Sequence, residues 1–226
     1  MSVEAHEASP LTMATKAADL LRERILIGVQ QPGARLGVDE LKRQFGIGAS
    51  PLREALNLLV AEGLVQKIDQ RGFRVARADR AELADLIETR CLVEGAALRA
   101  SIGRGDQLWE ERLIIAHHRL SREKRSLSES KFETNPAWDE LHSEFHQALI
   151  AACGAQGLLD ICQRLHQRAR RFRNLSNAIG WRQRDVSQEH DALMRAAIDR
   201  RADEAVRLLE DHYRRTGAIL GQGIPN

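Results

Sequence analysis

The sequence predicts a mainly α-helical protein in two parts: an N-terminal unit of three helices and a β-hairpin, and a C-terminal all-helical antiparallel bundle. Apolar residues recur at helical spacing along most of the chain, strand-like alternation is confined to residues 64–75, and strand signals vanish after Asp79. A length of 226 residues is sufficient for two modest domains. We expect a disordered leader over residues 1–13, a first domain over 14–77 and a second over 78–222.

Composition narrows the class of protein. The formal net charge of +2 does not by itself indicate a nucleic-acid partner. Three cysteines, an odd number without CxxC spacing, favour reduced thiols buried in helices. The first residues lack the apolar core of a signal peptide, and no apolar run approaches membrane-spanning length. We therefore expect a cytoplasmic protein that makes no membrane contact.

The first two helices lead into a sharp turn. The first ends near Gly28, and a Pro-Gly turn then leads into the second. The apolar residues that pattern the first helix are Ala17, Leu20, Leu21 and Ile25. The second helix places Leu41 and Phe45 inward, and Gly46 permits the reversal that a helix-turn-helix requires.

The third helix presents polar side chains outward. Ser50 is predicted as its N-cap, and Pro51 suits the first helical position because its missing N–H costs nothing there. The apolar face consists of Leu52, Ala55, Leu56 and Leu59. Ser50, Arg53 and Asn57 lie on the opposite face. A helix start that carries a guanidinium and a hydroxyl suits a DNA groove, since it offers donors to phosphates and to the edge of guanine.

A basic hairpin follows the third helix. Residues 64–68 and 73–75 alternate as two short strands around a tip at residues 69–72. Its basic residues are Lys67, Arg71, Arg74 and Arg77. Such a hairpin beside a helix-turn-helix is a wing, and the predicted DNA-binding residues are Ser50, Arg53, Asn57, Lys67, Arg71 and Gly72.

Residues 14–77 resemble the winged helix-turn-helix of the GntR family of bacterial transcription regulators. The matching segments are Ile25-x-x-Gly28, Pro32-Gly33-x-x-Leu36, Leu41, Phe45-Gly46-Ile47, Ser50 to Leu56, Leu59, Glu62 to Val65, and Arg71-Gly72-Phe73-x-Val75. The family usually has Ser-Arg-Thr-Pro where this chain has Gly48-Ala49-Ser50-Pro51. Ala49 cannot hydrogen-bond to a base or phosphate. The resemblance therefore implies that DNA affinity depends more on Arg53 and the wing.

The remainder of the chain reads as charged amphipathic helices. We predict helices over residues 80–102, 107–128, 136–153, 155–178, 184–199 and 203–218. Asn135 and Pro136 look like an N-cap followed by proline at the first helical position.

Four histidines of this part stand out. His142 and His146 are one helical turn apart, and His190 and His212 lie on later helices. Four converging imidazoles would suit zinc or another late first-row divalent cation. The alternative is that the pair is solvated surface, as histidines among polar neighbours usually are. The remaining histidines, His6, His117, His118 and His166, follow no such pattern.

Residues 80–218 resemble the all-helical effector-binding FCD domain of the FadR-type GntR subfamily. The matching landmarks are Leu86, Arg90, Glu94, Glu144-Phe145-His146-x-x-Leu149, Glu189-His190-x-x-Leu193, Ala196, Ile198, Asp203, Ala205 and His212. Metal-binding members carry Asp or Asn four residues before the Phe-His histidine, where this chain has His142. The resemblance implies a divalent metal held by His142, His146, His190 and His212. Imidazole ligands favour zinc or nickel.

Arg90 has two interpretations. It can pair with Glu94 one turn further along an exposed helix face, which would contribute only a few tenths of a kcal/mol. The resemblance implies instead that Arg90 faces the cavity beside the metal and binds an effector carboxylate with both arms of its fork.

Together these features predict a homodimeric transcription regulator, in the first instance a repressor, that binds a palindromic operator. A small organic acid bound near the metal would alter operator affinity. One alternative is a regulator for which the metal itself is the signal. A second is a metal-dependent hydrolase, although no general base is evident beside the histidines.

Overall fold

The computed structural model describes residues 12–26, 28–68, 72–76, 80–130, 132–180 and 184–221. The chain divides into two compact units, Met1–Arg77 and Ala78–Asn226. The mainly α-helical fold class is confirmed. Within the described ranges, the first unit contains a three-stranded sheet, and the second contains only an isolated β-bridge. The leader predicted over residues 1–13 lies almost wholly outside the described residues.

The first unit consists of three helices and a small sheet. In chain order its elements are α1 (Met13–Leu26), β1 (Arg35–Leu36), α2 (Val38–Phe45), α3 (Ala49–Ala61), β2 (Val65–Ile68) and β3 (Gly72–Val75). The sheet is antiparallel in the order β1-β3-β2. Strand β1 was not predicted, because two residues are too short to show alternation.

The predicted inward faces form one core in this unit, with one exception. Its largest fully buried side chains are Leu21, Leu41, Leu52, Leu56, Leu59 and Leu64. The exception is Leu20, one of the four residues that pattern the first helix, whose side chain is 46 % exposed. The buried stripe of α1 runs through Ala14, Ala17, Ala18, Leu21 and Ile25. One step of about 100° around the helix from Leu21 takes Leu20 out of that stripe.

The start of α3 differs from the prediction. The helix begins at Ala49, its N-cap is Gly48, and no side chain caps it, so the assignment of Ser50 as N-cap is wrong. Pro51 falls in the first turn, where backbone N–H groups have no intrahelical partner. The turn before the helix depends on Gly46, whose φ of +66° is favourable for glycine.

The second unit is a helical bundle. Its helices are α4 (Arg80–Arg104), α5 (Gln107–Arg122), α6 (Pro136–Ile150), α7 (Gln156–Gly180), α8 (Val186–Ile198) and α9 (Ala202–Gly221). Helix α4 packs against α7 and α9, α5 packs against α6 and α8, and α8 packs against α9. Asn135 caps α6 by accepting from the backbone N–H of Ala137 at 3.0 Å.

Two predicted helices extend too far. Helix α5 ends at Arg122 rather than residue 128, and α6 ends at Ile150 rather than residue 153. After α5 the chain turns because the Asn135 amide donates to the carbonyl of Lys124 at 2.6 Å and to the Glu123 carboxylate at 2.8 Å. These are contacts across 11 or 12 residues, which local periodicity does not reveal.

The bundle has its own core. Among its fully buried side chains are Leu98, Leu113, Phe145 and Leu149, and the free thiols Cys91, Cys153 and Cys162 are buried as well. Trp109 and Trp138 pack in this core. No helix in the described ranges is both long and apolar enough to cross a membrane.

We expect a fragment comprising residues 78–226 to fold without the first unit, because its core cluster is drawn entirely from its own helices. Circular dichroism should show a helical spectrum and a cooperative thermal transition. The matched control is the same fragment carrying Leu149→Ala, which should melt earlier because a cavity in the core costs about 2–5 kcal/mol. A non-cooperative transition in the unsubstituted fragment would contradict the prediction.

Candidate functional site

The first unit presents the predicted DNA-binding side chains to solvent. Ser50, Arg53 and Asn57 are exposed on one face of α3, and Lys67 is exposed on β2. Gly72 begins β3 with a φ of +85°, a conformation that residues with a side chain disfavour. Arg71 and Arg77 lie outside the described residues.

A pair of arginines on the sheet was missed from the sequence. Arg35 of β1 lies directly opposite Arg74 of β3, and both side chains are exposed. Like charges in opposed positions of a sheet repel each other, and a bound phosphate would relieve that repulsion. The pairing depends on β1, so the sequence offered no signal for Arg35.

The second unit brings four of its histidines together. His142 and His146 come from α6, His190 from α8 and His212 from α9, and all four are buried. Each offers one nitrogen, and these nitrogens lie within 4.8 Å of one another. The alternative that the histidines are solvated surface is therefore wrong.

The chemistry of this cluster fits a divalent cation. His142 Nδ1, His146 Nε2 and His190 Nε2 are buried without a hydrogen-bond partner among the residues that the structure describes, which is rare for polar atoms in a protein interior. In a zinc complex with bonds of about 2.0–2.1 Å, neighbouring nitrogens are about 3 Å apart, so small movements would close the set around an ion.

A carboxylate orients the last histidine of the cluster. Glu189 Oε2 lies 2.8 Å from His212 Nδ1. The two protons of Arg184 Nη2 go to the same carboxylate and, at 2.7 Å, to the carbonyl of His212. Neither proton is therefore available to His212 Nδ1. Nδ1 of His212 is therefore the donor to Glu189, and Nε2 is left with a lone pair, as in many histidine ligands of metals. From the sequence, Glu189 was noted only as a landmark of the FCD resemblance, and Arg184 was not singled out.

A second network orients His146. Arg90 binds Glu94 through Nε at 2.6 Å and Nη2 at 3.2 Å, and its guanidinium lies 3.7 Å from the centre of the Tyr213 ring. The Tyr213 hydroxyl donates to Glu94 and lies 3.3 Å from His146 Nδ1. Because its proton goes to Glu94, this hydroxyl accepts from His146 Nδ1–H, and Nε2 of His146 again carries the lone pair.

The same arginine contacts a fifth histidine. His166 on α7 is buried, its Nδ1 lies 3.5 Å from Arg90 Nη2, and its Nε2 has no partner. The sequence analysis placed His166 outside any pattern, since it stands 20 residues after His146 on another helix. Tertiary packing puts its ring centre 5.8 Å from that of His146.

A buried carboxylate, Asp139, lies on the same helix as His142 and pairs with two arginines of α7. Asp139 accepts from Arg170 Nε at 2.7 Å and from Arg173 Nε at 3.1 Å. Burial opposes ionisation of Asp139, but the two arginines hold its pKa below the ordinary value. Two guanidiniums against one carboxylate leave an excess positive charge near His142.

The histidines of the cluster are neutral at ordinary pH. Burial lowers the pKa of His142, His146 and His190 well below the usual 6.5, and positive charge on their neighbours lowers it further. Burial also lowers the pKa of His212, to about 4, although its hydrogen bond to Glu189 opposes this shift. Neutral imidazole is the form that binds metal.

Cavities lined by described residues adjoin the cluster. One of about 240 Å³ is lined by His146 and His166, and one of about 260 Å³ is lined by His190 and Arg125. The cavity that contains Arg90 has only about 30 Å³, enough for about two waters. Arg90 is thus a buried partner of Glu94 rather than half of an exposed pair.

Comparison with known protein families agrees with both units. Residues 13–75 match the gntR family of bacterial regulatory proteins, and residues 85–215, more than half of the chain, match the FCD domain. The chain belongs to the GntR family. It is a DNA-binding transcription regulator with an FCD domain, and its relatives are regulators rather than enzymes.

Individual relatives span most of this GntR-family chain. It is 34 % identical over 203 residues to the regulator BphR of Paraburkholderia xenovorans, covering 89 % of this chain and 82 % of that protein. It is 33 % identical over 214 residues to the transcriptional repressor GlaR of Escherichia coli, covering 90 % and 94 %. The E. coli structure McbR/YncC shares the fold at a TM-score of 0.75 and 20 % identity, over 94 % of this chain and 99 % of that one.

We expect the chelator-treated protein to lose stability as the pH falls from 7 toward 5. Above pH 6.5 the cluster histidines are neutral in both folded and unfolded states. Below pH 6.5, the histidines of the unfolded chain bind protons. The cluster histidines of the folded protein stay neutral until the pH reaches their lower pKa values, about 4 for His212. Thermal melts across this range should show the decline. In His142→Phe, the decline in melting temperature should be shallower by the equivalent of one proton. A melting temperature of the unsubstituted protein that does not depend on pH would refute the prediction.

Proposed function

We propose that this GntR-family regulator is a repressor whose operator affinity is altered by a small organic acid bound near a divalent metal. The buried cluster of His142, His146, His190 and His212 carries the proposal. Three of its nitrogens are buried and unpaired, a costly arrangement that a bound cation would relieve. The name of the E. coli relative, a transcriptional repressor, supports the direction of regulation.

Zinc or nickel is the metal that this ligand set favours, because imidazole binds borderline cations better than magnesium, which prefers oxygen. When bound, the ion would supply open positions for oxygen atoms of an acid. Glu189 and Tyr213 support this role, since each accepts from the Nδ1–H of a cluster histidine and leaves Nε2 free.

Arg90 contributes to the response to the acid in this proposal. Its Nε and Nη2 are occupied by Glu94, so binding an acid with both arms of its fork would require Glu94 to move. The excess positive charge around the cluster, from Arg170 and Arg173 against the single carboxylate of Asp139, favours an anionic effector in either case.

We infer that the regulator acts in the cytoplasm as a homodimer on a palindromic operator, because two copies of one small winged unit read twice the sequence of one. The effector must bind one arrangement of the two DNA-binding units better than another, or it would shift no population. The second candidate is a regulator for which the metal alone is the signal. The buried cluster supports this candidate equally well. A metal titration of operator affinity without any acid separates the two.

Arg53→Ala should weaken operator binding by about 1–3 kcal/mol and relax preference at one base pair, because Arg53 is exposed on the outward face of α3. Arg74→Ala should weaken binding to all sequences alike and reduce the dependence on salt, as expected for a phosphate contact. Binding is measured by fluorescence anisotropy across a salt series.

The matched control for the DNA measurements is Arg112→Ala, an exposed arginine on α5 of the other unit. It should bind the operator as the unsubstituted protein does. If Arg53→Ala also binds normally at every salt concentration, α3 does not read the operator through this residue.

His146→Ala should lose the metal and lower the melting temperature of the metal-treated protein, because it removes one of the four nitrogens. Elemental analysis and thermal melts with added zinc or nickel provide the measurement. Arg90→Ala is the comparison: it should retain the metal and lose the response to acid, at a cost in stability from the unpaired Glu94.

Two results together would rule out the metal half of the proposal. Gently purified protein would contain no metal, and added zinc or nickel would neither bind at one equivalent nor raise the melting temperature. The DNA-binding assignment would be unaffected by that result.

A further inference from the structure

The first helix of the bundle exposes a leucine at its centre. Helix α4 spans 25 residues, Arg80–Arg104, so residue 92 is its midpoint. Leu92 is 75 % exposed, more than any other large apolar residue in the ranges that the structure describes. One exposed leucine is common on protein surfaces, and only the chemistry of the residues around it can indicate a partner.

The residues around Leu92 form a straight exposed ridge along α4. At about 100° per residue, the side chains of six other exposed positions point within about 40° of the direction of Leu92. These positions are Ala81, Asp85, Glu88, Ala96, Arg99 and Gly103. The α4 ridge is therefore open to solvent over a length of about 33 Å, at about 1.5 Å per residue.

The α4 ridge is complementary to itself when a second copy runs in the opposite direction. A two-fold axis at Leu92 places residues at equal distances from the helix midpoint opposite each other. Asp85 then faces Arg99 and Glu88 faces Ala96, and each pairing occurs twice. Opposite charges meet, small residues face one another at both ends of the ridge, and Leu92 meets its own copy. A parallel arrangement would instead place like charges opposite each other.

Contacts within one chain leave these charges available. Asp85 makes no ion pair with any residue in the described ranges. Arg99 Nη2 lies 2.7 Å from Asp203, but both side chains are more than half exposed, and such surface pairs are weak. A guanidinium has several N–H donors, so Arg99 can bind two carboxylates at once. Arg80 and Arg104, which would repel across the same axis, lie about 120° around α4 from the ridge and do not belong to it.

An apolar groove widens the surface beside the α4 ridge. Its volume is about 270 Å³, and its lining includes Leu83, Ala84, Ile87 and Gly217. Glu88 belongs to both the groove and the ridge, so the two are continuous. A second copy seated on the ridge would therefore also cover part of the groove and bury more apolar surface than one line of side chains offers.

We propose that two copies of this chain pair through α4, antiparallel, about a two-fold axis at Leu92, with Asp85 of each copy bound to Arg99 of the partner subunit. The inference rests on the proposed function, in which the regulator is a homodimer, and it names the surface that joins the copies. The leucines supply apolar burial at the centre, and the flanking charges fix the antiparallel register. The small residues of the ridge allow the two helices to approach closely.

Charge reversal tests this pairing, because each reversal is harmful alone and compensated by the other. Asp85→Arg makes positive charges face each other across the axis, and Arg99→Asp makes negative charges do so. Each full-length variant should dimerise about 10- to 100-fold more weakly than the unsubstituted protein, measured by sedimentation over a dilution series. Leu92→Asp should weaken the dimer by a similar factor, because two carboxylates would meet at the axis.

An equimolar mixture of Asp85→Arg and Arg99→Asp proteins should regain the affinity of the unsubstituted dimer. Each contact between the unlike chains then joins opposite charges. Energy transfer between fluorescent labels on the two variants measures this association. Recovery in the mixture cannot arise from contacts within one chain, such as the pair of Arg99 with Asp203.

The matched control is Arg112→Asp, which reverses an exposed arginine of α5 on a face that also exposes Leu108 and Ile115. It should dimerise as the unsubstituted protein does. Circular dichroism should show equal helix content in all the variants, because every substituted side chain is exposed.

Three results would overturn the inference and leave the proposed homodimer standing. These are folded Asp85→Arg and Arg99→Asp proteins that dimerise normally, a mixture that does not regain affinity, or a dimer that only Arg112→Asp weakens. An unsubstituted full-length protein that stays monomeric throughout the dilution series would overturn the homodimer together with the inference.

Discussion

The arrangement of the helical domain depends on one buried ion pair, between Arg90 and Glu94. Both side chains are almost completely removed from water, at 8 % and 2 % exposure, and removing one partner of such a pair costs about 3–5 kcal/mol. The two-point contact, the Tyr213 ring and the Tyr213 hydroxyl compensate the charges. Through Tyr213, which donates to Glu94, this pair places the proton of His146 on Nδ1 and leaves a lone pair on Nε2.

Similar pairing of arginine with acid recurs around the cluster. Arg173 with Asp139 and Arg184 with Glu189 repeat the arrangement of Arg90 with Glu94. Burial, and after it the positive charge of these arginines, keep the pKa values of the four histidines low and the rings neutral, although Glu189 opposes the shift at His190 and His212. Four neutral histidine ligands would leave the full charge of a divalent ion uncompensated. That charge would strengthen the binding of an anionic ligand at the open positions.

The DNA-binding domain distributes its positive charge sparingly. The chain as a whole carries a net charge of only +2, and the third helix has a single exposed arginine, Arg53, among small polar groups. The sheet adds Lys67 and the opposed pair of Arg35 and Arg74. Phosphate contacts set affinity and position, whereas base contacts set specificity. In the proposed DNA complex, one arginine for bases and several basic residues for phosphates would favour general affinity over extensive base recognition.

The sequence by itself determined the features that depend on residues close together in the chain: the helices by their periodicity, the turn at Gly46 and the cap at Asn135. It also contained the family motifs, which include the four histidines. Tertiary structure alone decided what depends on distant partners. Strand β1 exists only by pairing with β3, and Leu20 is exposed because the core faces another side of α1. Tyr213 contacts Glu94 across 119 residues and His166 contacts Arg90 across 76. Periodicity reports which face of a helix is buried, but the partner that completes a hydrogen bond is determined only when the helices pack.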